Sequence, residues 1–128
     1  MSYHAAKTVE LPFDEAVAKV TAELQKEGFG IITQIDLQEA FRKKLNLEFR
    51  RYKILGACNP TFAHRALQAE PRLGVLLPCN VAVQEMSPGV CDVAAVNPME
   101  TMKAVQNPAL GDLAQEVQTR LQRVIAAL

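Results

Sequence analysis

The spacing of apolar residues along the chain changes repeatedly between two and three or four, which predicts alternating strands and helices. Residues 6–11 alternate in polarity, as a short strand does. A helix follows, because Val17, Val20 and Leu24 recur at helical intervals. Gly28 is expected to end this helix, since glycine readily adopts the left-handed conformation found just after helices.

A second strand and a second helix are predicted directly afterwards. Ile31, Ile32 and Ile35 give the strand its β-branched character. Asp36 and Glu39 have the spacing of a capping box, which indicates where the helix begins. This helix is expected to bury an apolar stripe formed by Leu37, Ala40, Phe41 and Leu45.

Three asparagine–proline pairs indicate helix starts later in the chain: Asn59-Pro60, Asn97-Pro98 and Asn107-Pro108. Asparagine caps the first turn, and proline gives up no hydrogen bond that the first helical position needs. The helix that begins at Pro60 is expected to end before Pro71. An extended run at residues 74–78 is expected to follow it.

Three more strands and a long helix complete the predicted elements. Residues 52–59 form the third strand, and residues 80–86 and 90–96 flank Ser87-Pro88-Gly89, a link of hairpin length. The last helix is the most regular element of the chain. Its apolar residues keep the helical interval for five turns and are Leu110, Leu113, Ala114, Val117, Leu121, Val124, Ile125 and Leu128.

The order of these elements predicts the fold class. A hairpin near the C-terminal end requires antiparallel pairing, so an α+β fold is favoured over a purely parallel, doubly wound sheet. We expect a single domain over residues 1–128, with one largely antiparallel sheet, helices mainly on one face and the other face open. If the last helix is a main core element, Leu121→Ala destabilises the protein clearly, whereas Gln118→Ala does little.

Composition excludes several classes of protein. Hydrophobic residues make up 49% and charged residues 22% of the chain, which is typical of a globular domain and not of a disordered one. Fourteen basic residues balance fourteen acidic ones, so no net charge draws the chain to nucleic acid or to an anionic membrane. The sequence shows no membrane-spanning run and no secretory signal, and its three cysteines are too few for a disulfide framework. We therefore expect a cytoplasmic protein.

Cys58 and Cys79 are the strongest candidates for chemistry. Cys58 ends the third strand beside a predicted helix start, and Cys79 begins the fourth strand. A helix of about ten residues descends about 15 Å, and about seven extended residues climb back by a similar distance. The two thiols are therefore expected at the same end of the sheet, where His64 is a candidate third ligand.

Two interpretations of this cysteine pair stay open. The thiols either serve a soft metal ion, such as zinc or copper, or a redox exchange, or they are small packed residues, which free cysteine usually is. Packing is favoured, because no CxxC motif or quartet of cysteine and histidine ligands accompanies the pair. A solvated position is favoured for His64, and Cys91 is expected in the core.

Residues 42–53 hold six of the fourteen basic residues, interleaved with Phe49 and Tyr52. Such a mixture permits phosphate pairing and base stacking with nucleic acid. A solvated helix end and loop is the favoured interpretation, because no nucleic-acid-binding motif accompanies the segment. The chain also lacks the GxSxG, HExxH, P-loop and dinucleotide-binding motifs, so no catalytic residue is predicted.

Several short motifs in a fixed order resemble one protein family. ILGACNP, AHRAL, LLPCNVAV and a later NP, preceded by GFGIITQIDLQEAFRKKL, resemble the bacterial and archaeal family called domain of unknown function 302 over nearly the whole chain. The resemblance implies a small fold similar to the TATA-binding-protein superfamily, with a curved antiparallel sheet, and pairing into homodimers. It implies no activity, and many members have other residues where this chain has Cys58 and Cys79.

The sequence supports two hypotheses about function. The leading one is a dimeric cytoplasmic binding module without catalysis, which uses the open sheet face or the dimer cleft for a small ligand or a partner. The alternative is a metal-binding or redox protein centred on Cys58 and Cys79. DNA binding is not carried over from the superfamily, since a shared fold alone does not imply function.

Overall fold

One antiparallel sheet of five strands forms the centre of the structure. The computed structural model describes residues 2–128. Its strands are β1 (His4–Val9), β2 (Gly30–Asp36), β3 (Tyr52–Cys58), β4 (Cys79–Ser87) and β5 (Val90–Val96). They lie in the order β1-β5-β4-β3-β2, and every neighbouring pair is antiparallel. The predicted α+β class with an antiparallel sheet is confirmed.

The helices largely follow the predicted order. They are α1 (Phe13–Lys26), α2 (Leu37–Leu45), α3 (Pro60–Ala69), α4 (Pro98–Thr101) and α5 (Gly111–Ala126), with 3-10 helices at Pro71–Leu76 and Pro108–Leu110. The prediction of an extended run at residues 74–78 is wrong, because the first 3-10 helix occupies most of these residues. No helix within residues 2–128 has the length and apolar character needed to cross a bilayer.

The core lies between one face of the sheet and the helices α1 and α5. Cross-strand pairing puts Leu55, Val81 and Ala95 on that face, where each is at most 2% exposed. Leu24 of α1 and Leu121 of α5 belong to the same buried cluster. Removing these apolar side chains from water is the main favourable contribution to folding.

Local signals explain where several helices begin and end. Gly28 has a φ of +87° just after α1, and a Cβ there would lie 2.8 Å from Asn59 Nδ2, so this position requires glycine. Asn59 Oδ1 accepts a hydrogen bond from Phe62 N at 3.2 Å. Asn107 Oδ1 likewise accepts one from Ala109 N at 3.0 Å. Asn59 therefore caps α3, and Asn107 caps the 3-10 helix that leads into α5. At the third predicted start, α4 begins at Pro98, but the Asn97 side chain makes no capping hydrogen bond.

Gln118 lies on the buried side of α5, in contrast to the prediction. It is 3% exposed, and its Oε1 accepts a hydrogen bond from Met99 N of α4 at 3.0 Å. The first N–H groups of a helix have no partner within the helix, and α4 brings one of them against α5. Gln118 therefore does not face solvent. The expectation that Gln118→Ala does little loses its basis.

The segment from β2 to the loop after α2 differs from the rest of the molecule, because none of residues 30–50 is buried. β2 is an edge strand, and α2 packs mainly against β3. Leu37, Ala40 and Phe41 are half-buried, while Leu45 is 60% exposed. The prediction that α2 buries this whole stripe is wrong, since no second layer covers the end of the helix.

Candidate functional site

A cavity of about 370 Å³ opens between one end of the sheet and the helices α3 and α5. Its volume falls in the range of about 300–1,000 Å³ that is typical of small-molecule sites. The wall is almost entirely apolar, and prominent residues in it are Phe62, Ala66, Leu73, Cys79, Leu113 and Val117.

Small side chains on the two helices create this space. α3 contributes Ala63 and Ala66 to the wall, and α5 contributes Ala114. Protein interiors are normally packed to the density of organic crystals. Alanine at all three positions leaves unfilled a volume that larger apolar side chains would occupy.

The cavity separates two apolar clusters. The larger cluster is the core between the sheet, α1 and α5, and Val117 packs at its margin. The smaller cluster consists of Ala66, Leu73 and Leu110, with Leu113 packed against it. Because apolar surfaces of both clusters face the cavity, a molecule that filled it would bury apolar area on both sides.

Cys58 and Cys79 lie at the same end of the sheet and line the same cavity. Ala57, the residue before Cys58, is the direct cross-strand partner of Cys79. Both cysteines therefore border one cavity at one end of the sheet, although the chain returns to Cys79 through a 3-10 helix and not through an extended run. Cys91 is fully buried in the core, as predicted.

The protonation of Cys79 follows from its apolar surroundings. Burial raises the pKa of the Cys79 thiol from 9.0 to about 11, and the neighbouring Cys58 contributes to the same shift. Since the thiolate is the form that attacks electrophiles and binds metal ions, Cys79 is in its unreactive, neutral form at neutral pH. In this state it behaves as part of the apolar wall.

His64, the candidate third ligand, lies apart from the two thiols. It is on the exposed side of α3 and does not belong to the cavity wall. Within residues 2–128, no group of three or more histidine, cysteine, aspartate or glutamate side chains is arranged to hold a metal ion. Of the three predicted ligands, Cys58 and Cys79 line the cavity and His64 does not.

The opening of the cavity lies beside exposed side chains, and one aromatic residue of its wall contacts an arginine. Ile32 of β2 and Leu67 of α3 line the cavity while remaining 60% and 38% exposed, so the opening lies beside them. The Arg120 guanidinium lies 4.9 Å from the centre of the Phe62 ring and donates to the Glu27 carbonyl at 2.9 Å. These contacts fix the position of an aromatic wall residue.

The sequence analysis missed the cavity, although it found many of its residues. Leu113, Ala114 and Val117 were predicted as ordinary core positions of the last helix. One feature of the sequence could have indicated the cavity. Ala63 and Ala66 on α3 have small side chains, so the apolar stripe of that helix is shallow. Only the tertiary arrangement shows that the shallow stripes of two helices face each other.

Comparison with known proteins places this fold in one family. The family model for domain of unknown function DUF302 matches residues 5–128. The crystal structure of an uncharacterized conserved DUF302 protein from Bacillus stearothermophilus is similar, with a TM-score of 0.89 and 27% sequence identity over 98% of each chain. No curated protein matches the sequence.

Proposed function

The chain belongs to the DUF302 family, and we propose that it is a binding module for a small apolar molecule. The observation that carries this proposal is the cavity of about 370 Å³ between the sheet end, α3 and α5. Among the described residues that line it, Asn59 alone has a polar amide side chain. Recognition would therefore rest on shape and on the burial of apolar surface.

The chemistry of the wall favours binding over turnover. General acid–base catalysis needs a group whose pKa lies near the working pH. The pKa of Cys79 is about 11 because the thiol is buried, which is far from that range. The cysteine and aliphatic side chains of the wall instead offer polarisable contacts, shielded from water, to an apolar ligand.

A series of straight-chain primary alcohols, titrated into the protein by calorimetry, tests this function. Each buried CH₂ contributes about 0.8 kcal/mol, so affinity should rise about fourfold per carbon until the cavity is full. Ala63→Leu, which fills part of the cavity, should move the plateau to a shorter alcohol. The matched variant Ala18→Leu, on the exposed side of α1, should bind as the natural protein does. Affinity that does not depend on chain length would refute the proposal.

We also infer a homodimer in which two copies pack through their open sheet faces. On the face opposite α1 and α5, cross-strand neighbours form an apolar row over all five strands, made of Ala6, Ala94, Ala82, Ile54 and Ile35. None of the five is buried within one chain. A flat row of small apolar residues suits sheet-on-sheet packing, with sheets about 10 Å apart.

Sedimentation at micromolar concentration tests the dimer, and the expected mass is twice 14.1 kDa. Ala82→Glu places a charge in the middle of the apolar row and should give monomers. Ala109→Glu, at an exposed position away from the sheet, should leave the dimer intact. A single-chain mass for the natural protein would remove this inference.

A second candidate function is the binding of a soft metal ion, and it is favoured by one observation: Cys58 and Cys79 line the same cavity. Such a site would need deprotonation of a thiol whose pKa is about 11 and further ligands from elsewhere. All three cysteines are free, which supports a reducing cytoplasm. Zinc or copper in stoichiometric amount in fresh protein, lost in Cys79→Ser, would favour this candidate; metal-free protein would exclude it.

A further inference from the structure

The end of α2 and the loop after it form an exposed apolar tip, residues 42–50, which we call the α2 tip. Leu45 is 60% exposed and Leu47 is 55% exposed. Asn46 between them has a φ of +52°, which ends the helix and turns the chain. A single exposed apolar side chain is ordinary, so the two leucines are of interest only because they lie two residues apart at the end of one helix.

The α2 tip is also the cationic pole of the protein. Its nine residues contain four basic side chains and one acidic side chain, so the rest of the chain has ten basic and thirteen acidic side chains. The neutral total therefore conceals a positive tip on an acidic body. Fields of this kind steer association and select partners of opposite charge.

Most of the charge at the α2 tip is not neutralised within the protein. Arg42 and Lys44 are exposed and form no ion pair with the part of the chain that the structure describes. Lys43 pairs with Glu39, with 2.6 Å between Nζ and Oε1. The Arg50 side chain is exposed and forms no ion pair with the described residues, and its Nε donates a hydrogen bond to Gln84 Oε1 at 2.8 Å. Arg42 and Lys44 thus carry unpaired positive charge at the same helix end as Leu45.

We propose that the α2 tip docks on an anionic lipid surface. Leu45 and Leu47 enter the boundary between headgroups and acyl chains, and Arg42 and Lys44 lie at the level of the lipid phosphates. An exposed apolar end with basic flanks is the arrangement by which peripheral segments bind such surfaces. The proposal does not depend on the ligand cavity.

Two other occupants fit the α2 tip less well. A second copy of the chain, packed tip to tip, would bring two cationic poles together, which like-charge repulsion disfavours. A nucleic acid would pair with the basic residues but would leave both leucines in water. The rings that could stack on bases are half-buried, and the Arg50 guanidinium already lies 4.4 Å from the Phe49 ring centre. A lipid surface is the occupant that satisfies charge and apolar area together.

Vesicle flotation tests the proposal with the full chain. The protein should float with vesicles of phosphatidylcholine that contain about one-third phosphatidylserine, and not with phosphatidylcholine alone, because attraction scales with surface charge. Arg42→Glu with Lys44→Glu should weaken binding by far more than the roughly fivefold expected for each lost positive charge. Leu45→Ser with Leu47→Ser should reduce binding by at least tenfold, since both apolar anchors are lost.

Matched variants separate the α2 tip from general surface effects. Val75→Ser removes an apolar side chain that is 87% exposed, and Lys19→Glu reverses an exposed charge on α1; both should bind vesicles as the natural protein does. Thermal unfolding of all four variants should match the natural protein, because every changed residue is exposed. The proposal fails if anionic vesicles do not bind the protein, if the leucine variant binds normally, or if single-stranded RNA binds more tightly than the vesicles do.

Discussion

The two halves of α5 both face apolar surroundings, but side chains fill the space beside one half and leave a cavity beside the other. In the C-terminal half, Leu121 and Val124 are each 1% exposed and pack against the sheet and α1. In the N-terminal half, Leu113 and Val117 line the cavity and are only half-buried. One helix with one continuous apolar stripe thus supports a packed core along half its length and a binding site along the other half.

This difference shows what an apolar stripe can predict. It indicates which side chains are buried, and it does not indicate how tightly the space around them is packed. Tight packing gives many dispersion contacts to each buried side chain. The cavity wall forgoes part of these contacts and leaves apolar surface available to a ligand. Stability should therefore be concentrated in one half of α5, and binding in the other.

The largest effect should separate the two halves directly. Leu121→Ala should lower the free energy of unfolding by about 2–5 kcal/mol, because it leaves a new void in a packed core. Leu113→Ala only enlarges an existing cavity, so it should cost less than half as much. Urea denaturation of both variants measures the difference, and equal losses would contradict the comparison.

The next effect concerns Gln118, which lies between the two halves of α5. Gln118→Ala should cost about 1–3 kcal/mol, because the half-buried Met99 N–H loses its acceptor. Gln115→Ala, one turn earlier on the exposed side of the helix, is the matched control and should be almost neutral. Thermal unfolding of the two variants decides the matter; a neutral Gln118→Ala would show that the bond to α4 contributes nothing.

Much of the fold was predictable from the sequence because its signals are local. Gly28 and the capping Asn59 mark helix boundaries through backbone chemistry that needs no tertiary context. The burial of Gln118 was not predictable, because it depends on an N–H that α4 brings from another part of the chain. The exposure of Leu45 was missed for the same reason: periodicity predicts a stripe, and only the arrangement of layers shows whether anything covers it.

The candidate site was predictable to a smaller extent than the fold. The placement of Cys58 and Cys79 at one end of the sheet followed from the length of the helix and the return segment between them, even though that segment was wrongly predicted to be extended. The cavity could not be predicted from the sequence, because it exists where no side chain fills the space between α3 and α5. The sequence predicts that Ala63 is a core residue. The spacing of apolar residues does not show whether the space beside such a residue is filled.

A pair of identical substitutions compares filled and unfilled space. Ala16→Leu in the packed core, where the alanine is 1% exposed, should cost about 1–3 kcal/mol by overpacking. Ala63→Leu puts the same added volume into the cavity and should be neutral or slightly stabilising, since it buries apolar surface in space that exists already. Chemical denaturation gives both values, and a similar loss in each variant would mean that the cavity is not available to side chains.

The smallest effect is a pH dependence at the cavity wall. Because burial raises the pKa of Cys79 from 9.0 to about 11, the neutral thiol stabilises the folded state below about pH 9. This contribution is lost as pH rises through about 11. Alkylation of the Cys79 peptide by iodoacetamide, followed by mass spectrometry, should be slow near neutral pH and rise about tenfold per pH unit up to about 11. Rapid labelling at neutral pH would contradict the dry, apolar wall.

The central claim is that the N-terminal half of α5 borders a site for small apolar molecules, while the C-terminal half borders a filled core. The most direct test is a titration with octanol, followed by the NMR signals of the methyl groups. The account predicts that Leu113 and Val117 shift with a saturating dependence on octanol, that Leu121 and Val124 do not shift, and that Ala63→Leu weakens the response. Shifts distributed equally over both halves, or no saturable shift at Leu113 and Val117, would contradict it.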